Sequence, residues 1–245
     1  MLHAPSLSFV LERLESSFYR SQLKERKAGG YYMEMLVPGS LYERVPIRNK
    51  VKLIGILFMH PESSLSKGEI IPRMGLYNER AGEFTDFYFA GYGAYWPQSD
   101  YPDQRPVTKL DEIQWLYSDR AFNSFRRDIE SKTRWRYSGE TDLILTTARF
   151  SKSKEEPIID FSQCIICCLE QILRDNATPS IPAFFESIFR FGESGSKSTA
   201  YEFSDIHLLN TSKTSLLEWI LTRVGMKAFY EKNRNLAIRD IAITA

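Results

Sequence analysis

Three cysteines crowd one short stretch, C164-I-I-C167-C168, in a chain of 245 residues that contains no others. Thiols at C-x-x-C spacing do redox chemistry or bind metal. Just before them, PIIDFS (157–162) reads as a strand and turn, and 163–175 reads as a helix carrying all three thiols. A cysteine near a helix N-terminus has its thiolate stabilised by the helix dipole. Structural zinc asks for four ligands, and the only histidines, His3, His60 and His207, stand at no ligand spacing. The competing reading is a core helix. Cys164, Ile165, Cys168, Leu169 and Ile172 then form its apolar face, and Cys167 is partly accessible beside Glu170, Gln171 and Arg174.

Asp160-Phe161 ahead of Cys164 resembles the approach to thioredoxin's active site, but the intervening Trp, Gly and Pro are absent and two isoleucines separate the thiols. A second resemblance rests on carboxylates. Glu130 on a predicted helix, Asp142 opening a predicted strand and Asp160 on the next strand are similar to the acidic set of restriction-type PD-(D/E)xK nucleases. That resemblance implies one or two Mg²⁺ or Mn²⁺ ions held by these three groups, generating a hydroxide and stabilising phosphate charge. The sequence departs from the pattern where the motif lysine belongs, which here is Ser162. Without a metal, Asp142 simply starts a strand and Asp160 caps the helix after it.

Other segments carry chemistry-bearing residues. His60 ends a buried strand and is followed by Pro61 and Glu62, and ligands of open α/β sheets bind beyond the carboxyl ends of strands. With the loop AGYGAYW (90–96) on the same edge, His60, Glu62, Tyr92, Tyr95 and Trp96 line one candidate ligand pocket. An imidazole beside a carboxylate forms an acid/base pair there, and the aromatics stack on a planar ligand. RRDIESKTRWRYSG (126–139) interleaves Arg126, Arg127, Arg134 and Arg136 with Trp135, a pattern that suits single-stranded nucleic acid. The bland readings are a histidine bonded to local backbone and a strand with solvated arginines. GESGSKST (192–199) lacks the glycines and the preceding strand of a phosphate loop and reads as a linker.

These residues need a scaffold. VKLIGILFMH (51–60) is a strand apolar on both faces, 64–81 is helical with its regular part from Pro72, and EFTDFYFAG (83–91) is the next strand, a candidate parallel crossover. Residues 6–27 spell an amphipathic helix with Leu7, Val10, Leu11, Leu14 and Phe18 on one stripe. Residues 91–117 read as loop, 118–132 as a capped helix, and 140–150 with 157–162 as a hairpin. Further helices are expected at 181–191 and 213–233. The expected fold is α/β: a mixed sheet of at least four strands with flanking helices in residues 1–175, and a helical C-terminal portion, 176–245, packed on it as one compact unit.

Composition narrows function by exclusion. A net charge of +1 sets up no global field for nucleic acid or anionic lipid. The chain has no apolar run of the ~18 residues that cross a bilayer. Three clustered cysteines make no disulfide framework and point to a reducing compartment, the cytoplasm. With no complete catalytic motif, the leading expectation is a globular binding or assembly component that acts through a protein partner or self-association, with no cofactor. The alternative is the divalent-metal-dependent nuclease. If the stripe on the first helix is not used internally, it is a docking face.

Overall fold

A computed structural model describes residues 2–23, 42–46, 51–81, 85–151, 156–175, 178–186, 188–190 and 238–243. In chain order they form β1 (Leu2–Ala4), α1 (Leu7–Phe18), β2 (Tyr19–Leu23), β3 (Tyr42–Pro46), β4 (Val51–Phe58), α2 (Met74–Arg80), β5 (Thr85–Ala90), β6 (Tyr92–Ala94), β7 (Arg105–Leu110), β8 (Ile113–Tyr117), α3 (Asp119–Lys132), β9 (Asp142–Ser151), β10 (Glu156–Cys168), α4 (Leu169–Arg174) and β11 (Ile238–Arg239). A π-helical turn, Ser66–Ile70, and a 3-10 turn, Ile71–Arg73, lead into α2. Residues 181–186 and 188–190 are helical.

The mixed α/β architecture expected from the sequence is present. Six strands form one sheet in the order β1-β5-β4-β9-β10-β11. β1, β5 and β4 run parallel, and β9, β10 and β11 alternate antiparallel beyond β4. β4 is central and buried from Lys52 to Phe58, as a strand covered on both faces must be. Through α2 it returns to the parallel neighbour β5, the crossover its sequence suggests.

Helices cover both faces. On one, Phe58 packs against Phe122 and Phe125 of α3. α1 lies beside α3 and β10 with Leu7, Val10, Leu14 and Phe18 buried. On the other, Phe87 and Tyr77 meet Phe185 and Phe189. The α1 stripe is therefore core, and the docking face expected of it is not free. Ser6 caps α1 by accepting from the Phe9 N–H at 3.2 Å.

Three expectations are corrected. The helix read across 163–175 is strand as far as Cys168, because β10 pairs with β9 over Ile165–Cys168, and only 169–174 is helical. The helix read across 6–27 ends at Phe18, where β2 begins. The loop read across 91–117 contains β6, β7 and β8, a three-stranded sheet of its own. The linker 192–199 and the helix 213–233 lie outside the described residues, as does most of the C-terminal portion.

Candidate functional site

A strand places successive side chains on opposite faces. Cys164 and Cys167, three apart on β10, therefore point away from each other and form no C-x-x-C pair. Cys164 and Cys167 are buried, and Cys168 is the partly accessible thiol, the reverse of the helical expectation for Cys167 and Cys168. Burial pushes the Cys164 thiol up to about 12. Burial and then the Glu140 carboxylate do the same at Cys168, also to about 12.

Two of the nuclease carboxylates, Asp142 and Asp160, are not brought together. Asp142 pairs across the sheet with Cys168, whereas Asp160 pairs with Thr147. Five positions along β9 put the two on opposite faces, roughly 17 Å apart along the strand. Asp142 is 3% exposed and accepts from the Ser138 N–H at 2.9 Å and hydroxyl at 2.6 Å. Burial raises its carboxyl above the ordinary value despite those two bonds. Asp160 sits at a bulge, where it accepts from the Ser162 N–H and hydroxyl, and caps no helix. Glu130 accepts from the Tyr137 N–H at 3.1 Å and stands 4.0 Å from Arg126.

The basic segment is used internally. Arg136 donates to the carbonyls of Glu130, Thr133 and Trp135, closing the C-terminal end of α3. Arg134 pairs with Asp240 and donates to the Ala242 carbonyl, while Arg127 donates to Asn123 and Arg126 lies over the Tyr137 ring. Trp135 is 4% exposed, with its ring 4.6 Å from Phe58, so it has no open face for a base to stack on.

His60 does stand beyond the carboxyl end of β4, but its partner is not Glu62. Its Nδ1 accepts from the Glu62 N–H at 3.3 Å, so Nε2 carries the proton and donates to Asp119 at 3.2 Å. Asp119, in the first turn of α3, also takes Arg105 at 2.6 Å. Burial pushes the Asp119 carboxyl up, but Arg105 and His60 more than offset it and hold it below the ordinary value. The Glu62 carboxylate turns to Lys67 at 2.5 Å. Tyr92 is fully buried against Tyr117, and Trp96 stacks on Tyr101 at 4.5 Å. Of the five candidates, His60 and Glu62 touch through the backbone and both His60 and Tyr92 border the Tyr117 ring, while Trp96 turns to Tyr101. Asp119 was missed because the acid next to an N-cap is the commonplace first-turn residue.

Tyr95 stands apart from these satisfied groups. It is 79% exposed and holds φ 59, a left-handed conformation that a bulky residue rarely adopts. Its neighbours are fixed. The Trp96 indole lies over Gly93 so closely that a Cβ there would fall 2.2 Å from it.

A cleft of about 530 Å³ opens where β9 starts and β10 ends, bordered by Trp135, Glu140, Asp142 and Cys168. Cys168 Sγ is 2.8 Å from the Oε2 of Glu140, which borders the same cleft, and 3.8 Å from Glu170 Oε2. Arg174 grips Glu140 through two 3.0 Å bonds, and Glu170 accepts from the Thr141 N–H at 2.8 Å and hydroxyl at 2.6 Å. Comparison of the chain with family models, curated proteins and solved structures finds no match.

Proposed function

We propose that the protein is a binding component of the cytoplasm that docks a protein partner on the loop presenting Tyr95. One observation carries this reading: an aromatic side chain held in solvent at a backbone conformation that costs about 1–2 kcal/mol. Strain of this kind persists where the surrounding structure over-determines it, and it gathers at binding sites. Interface hot spots favour rigid aromatic anchors, and Trp96, clamped between Gly93 and Tyr101, supplies the rigidity. Free thiols at all three cysteines suit a reducing compartment. Among the described residues no helix is long and apolar enough to cross a membrane. Asp142 and Asp160 of the nuclease alternative lie on opposite faces of the sheet, which weighs against their sharing one ion.

The test places a photo-crosslinking phenylalanine analogue at position 95 and irradiates the protein in extract of its own host. A discrete adduct that excess wild-type protein competes away, and Tyr95→Ala does not, is expected. A diffuse pattern, or equal competition by both proteins, sinks the reading. An adduct of twice the chain mass identifies the partner as a second copy.

A further inference from the structure

We propose that the partner docked at Tyr95 presents an arginine, its guanidinium stacked on the Tyr95 ring and paired with the carboxylates of Asp111 and Glu112. The inference rests on the docking reading of Tyr95 and gives the partner its chemistry. Ala94 at the end of β6 pairs with Trp115, and the Leu110–Ile113 pair closes the hairpin whose turn is Asp111-Glu112. Tyr95 follows Ala94, so it leaves β6 beside Gln114, two positions from Glu112. With ~3.4 Å per residue and ~4.8 Å between strands, the Tyr95 and Glu112 backbones stand roughly 8 Å apart.

All three side chains are exposed. Tyr95, Asp111 and Glu112 are also the three non-glycine residues that hold positive φ among the described residues, so every such departure gathers at one end of the small sheet. Strain of this kind fixes how the ring and the carboxylates are displayed, which cuts the ordering cost of binding. A cation sits within about 6 Å of a ring centroid in cation–π contacts and within about 4 Å of a carboxylate oxygen in ion pairs. One guanidinium therefore spans the separation.

Charge selects the occupant. Neither Asp111 nor Glu112 enters an ion pair among the described residues. Lys109, exposed on β7 opposite Gln114, sets one cation against their two charges. That balance repels phosphate-bearing partners such as nucleic acid or anionic lipid. Arginine fits better than lysine, because its planar guanidinium stacks on aromatic faces and pairs with a carboxylate through two parallel bonds.

The test is an array of short random-sequence peptides probed with the labelled full chain. Wild type should select peptides enriched in arginine, and binding should fall at least tenfold in Tyr95→Ala and in the double variant Asp111→Asn/Glu112→Gly. The double variant removes both charges while supplying the residue pair that a type I′ turn prefers, so lost binding is not lost folding. Selection without arginine enrichment, no selection at all, or binding that survives in the double variant overturns the inference. The crosslink from position 95 separates this failure from that of the docking reading. An adduct that forms undiminished in the double variant keeps Tyr95 as the docking point and overturns the arginine. Absence of any adduct removes the docking reading and the arginine with it.

Discussion

At the scale of single residues, the conformation of Tyr95 gives a sharp expectation. Glycine accepts φ 59 without strain, so Tyr95→Gly gains about 1–2 kcal/mol of relieved strain and loses about 0.4–1 through the freer unfolded chain. The balance of about 0–1.6 kcal/mol favours the glycine, and calorimetry should record a melting midpoint raised by up to about 6 °C. A lower midpoint would mean that the ring makes contacts its exposure does not suggest. The thiols give a second expectation. With Cys164 and Cys168 both pushed up to about 12 and Cys167 buried, little thiolate exists at pH 8 in the native fold. A chromogenic disulfide should titrate no cysteine within minutes in buffer and all three in urea. Rapid reaction of one thiol in buffer would show that the strand end opens.

Asp119 belongs to the scale of elements, because it ties β7 through Arg105 and the end of β4 through His60 to the start of α3. Its carboxyl is held below the ordinary value, so the folded state binds the proton less readily than the unfolded chain. The stability it contributes is complete above the unfolded value near pH 4 and is lost as pH falls through the depressed one. Asp119→Asn should lower the midpoint at pH 7 and flatten its fall between about pH 5 and 2. Parallel acid limbs for the two proteins would place the acid sensitivity elsewhere. The same scale shows what could be read in advance. β4, β5, α3 and the β9–β10 hairpin were legible because apolar period and caps agreed. The β7–β8 hairpin was not: its two-residue turn, Asp111-Glu112, holds φ 48 and 63 without the Asn or Gly that announces a type I′ turn. CIICCLEQIL fits a helical stripe as well as a buried strand, and pairing with distant β9 decided between them. The candidate carboxylates were placed on the right elements, but the face each occupies depends on register, which the bulge between Asp160 and Ile165 resets.

At the scale of the whole molecule, the segment 238–243 fastens regions far apart in the chain. β11 pairs with Cys164 and Ile165, Ile241 donates to the Phe161 carbonyl at 3.0 Å, and its own carbonyl accepts from the Arg134 N–H at 2.7 Å. Truncation before Ile238 should lower the midpoint by several degrees and raise light scattering, since it uncovers an apolar strand edge that recruits other chains. A truncated protein that stays monodisperse with an unchanged midpoint would make the segment ornamental. The covering of this edge also has a consequence in time. β11 follows the end of β10 by roughly 70 residues, and ribosomes add about 5–20 residues per second, so the nascent chain carries the Cys164–Ile165 edge without β11 for about 4–14 s. During translation that interval, longer than most elementary folding steps, is when the growing polypeptide most needs a chaperone.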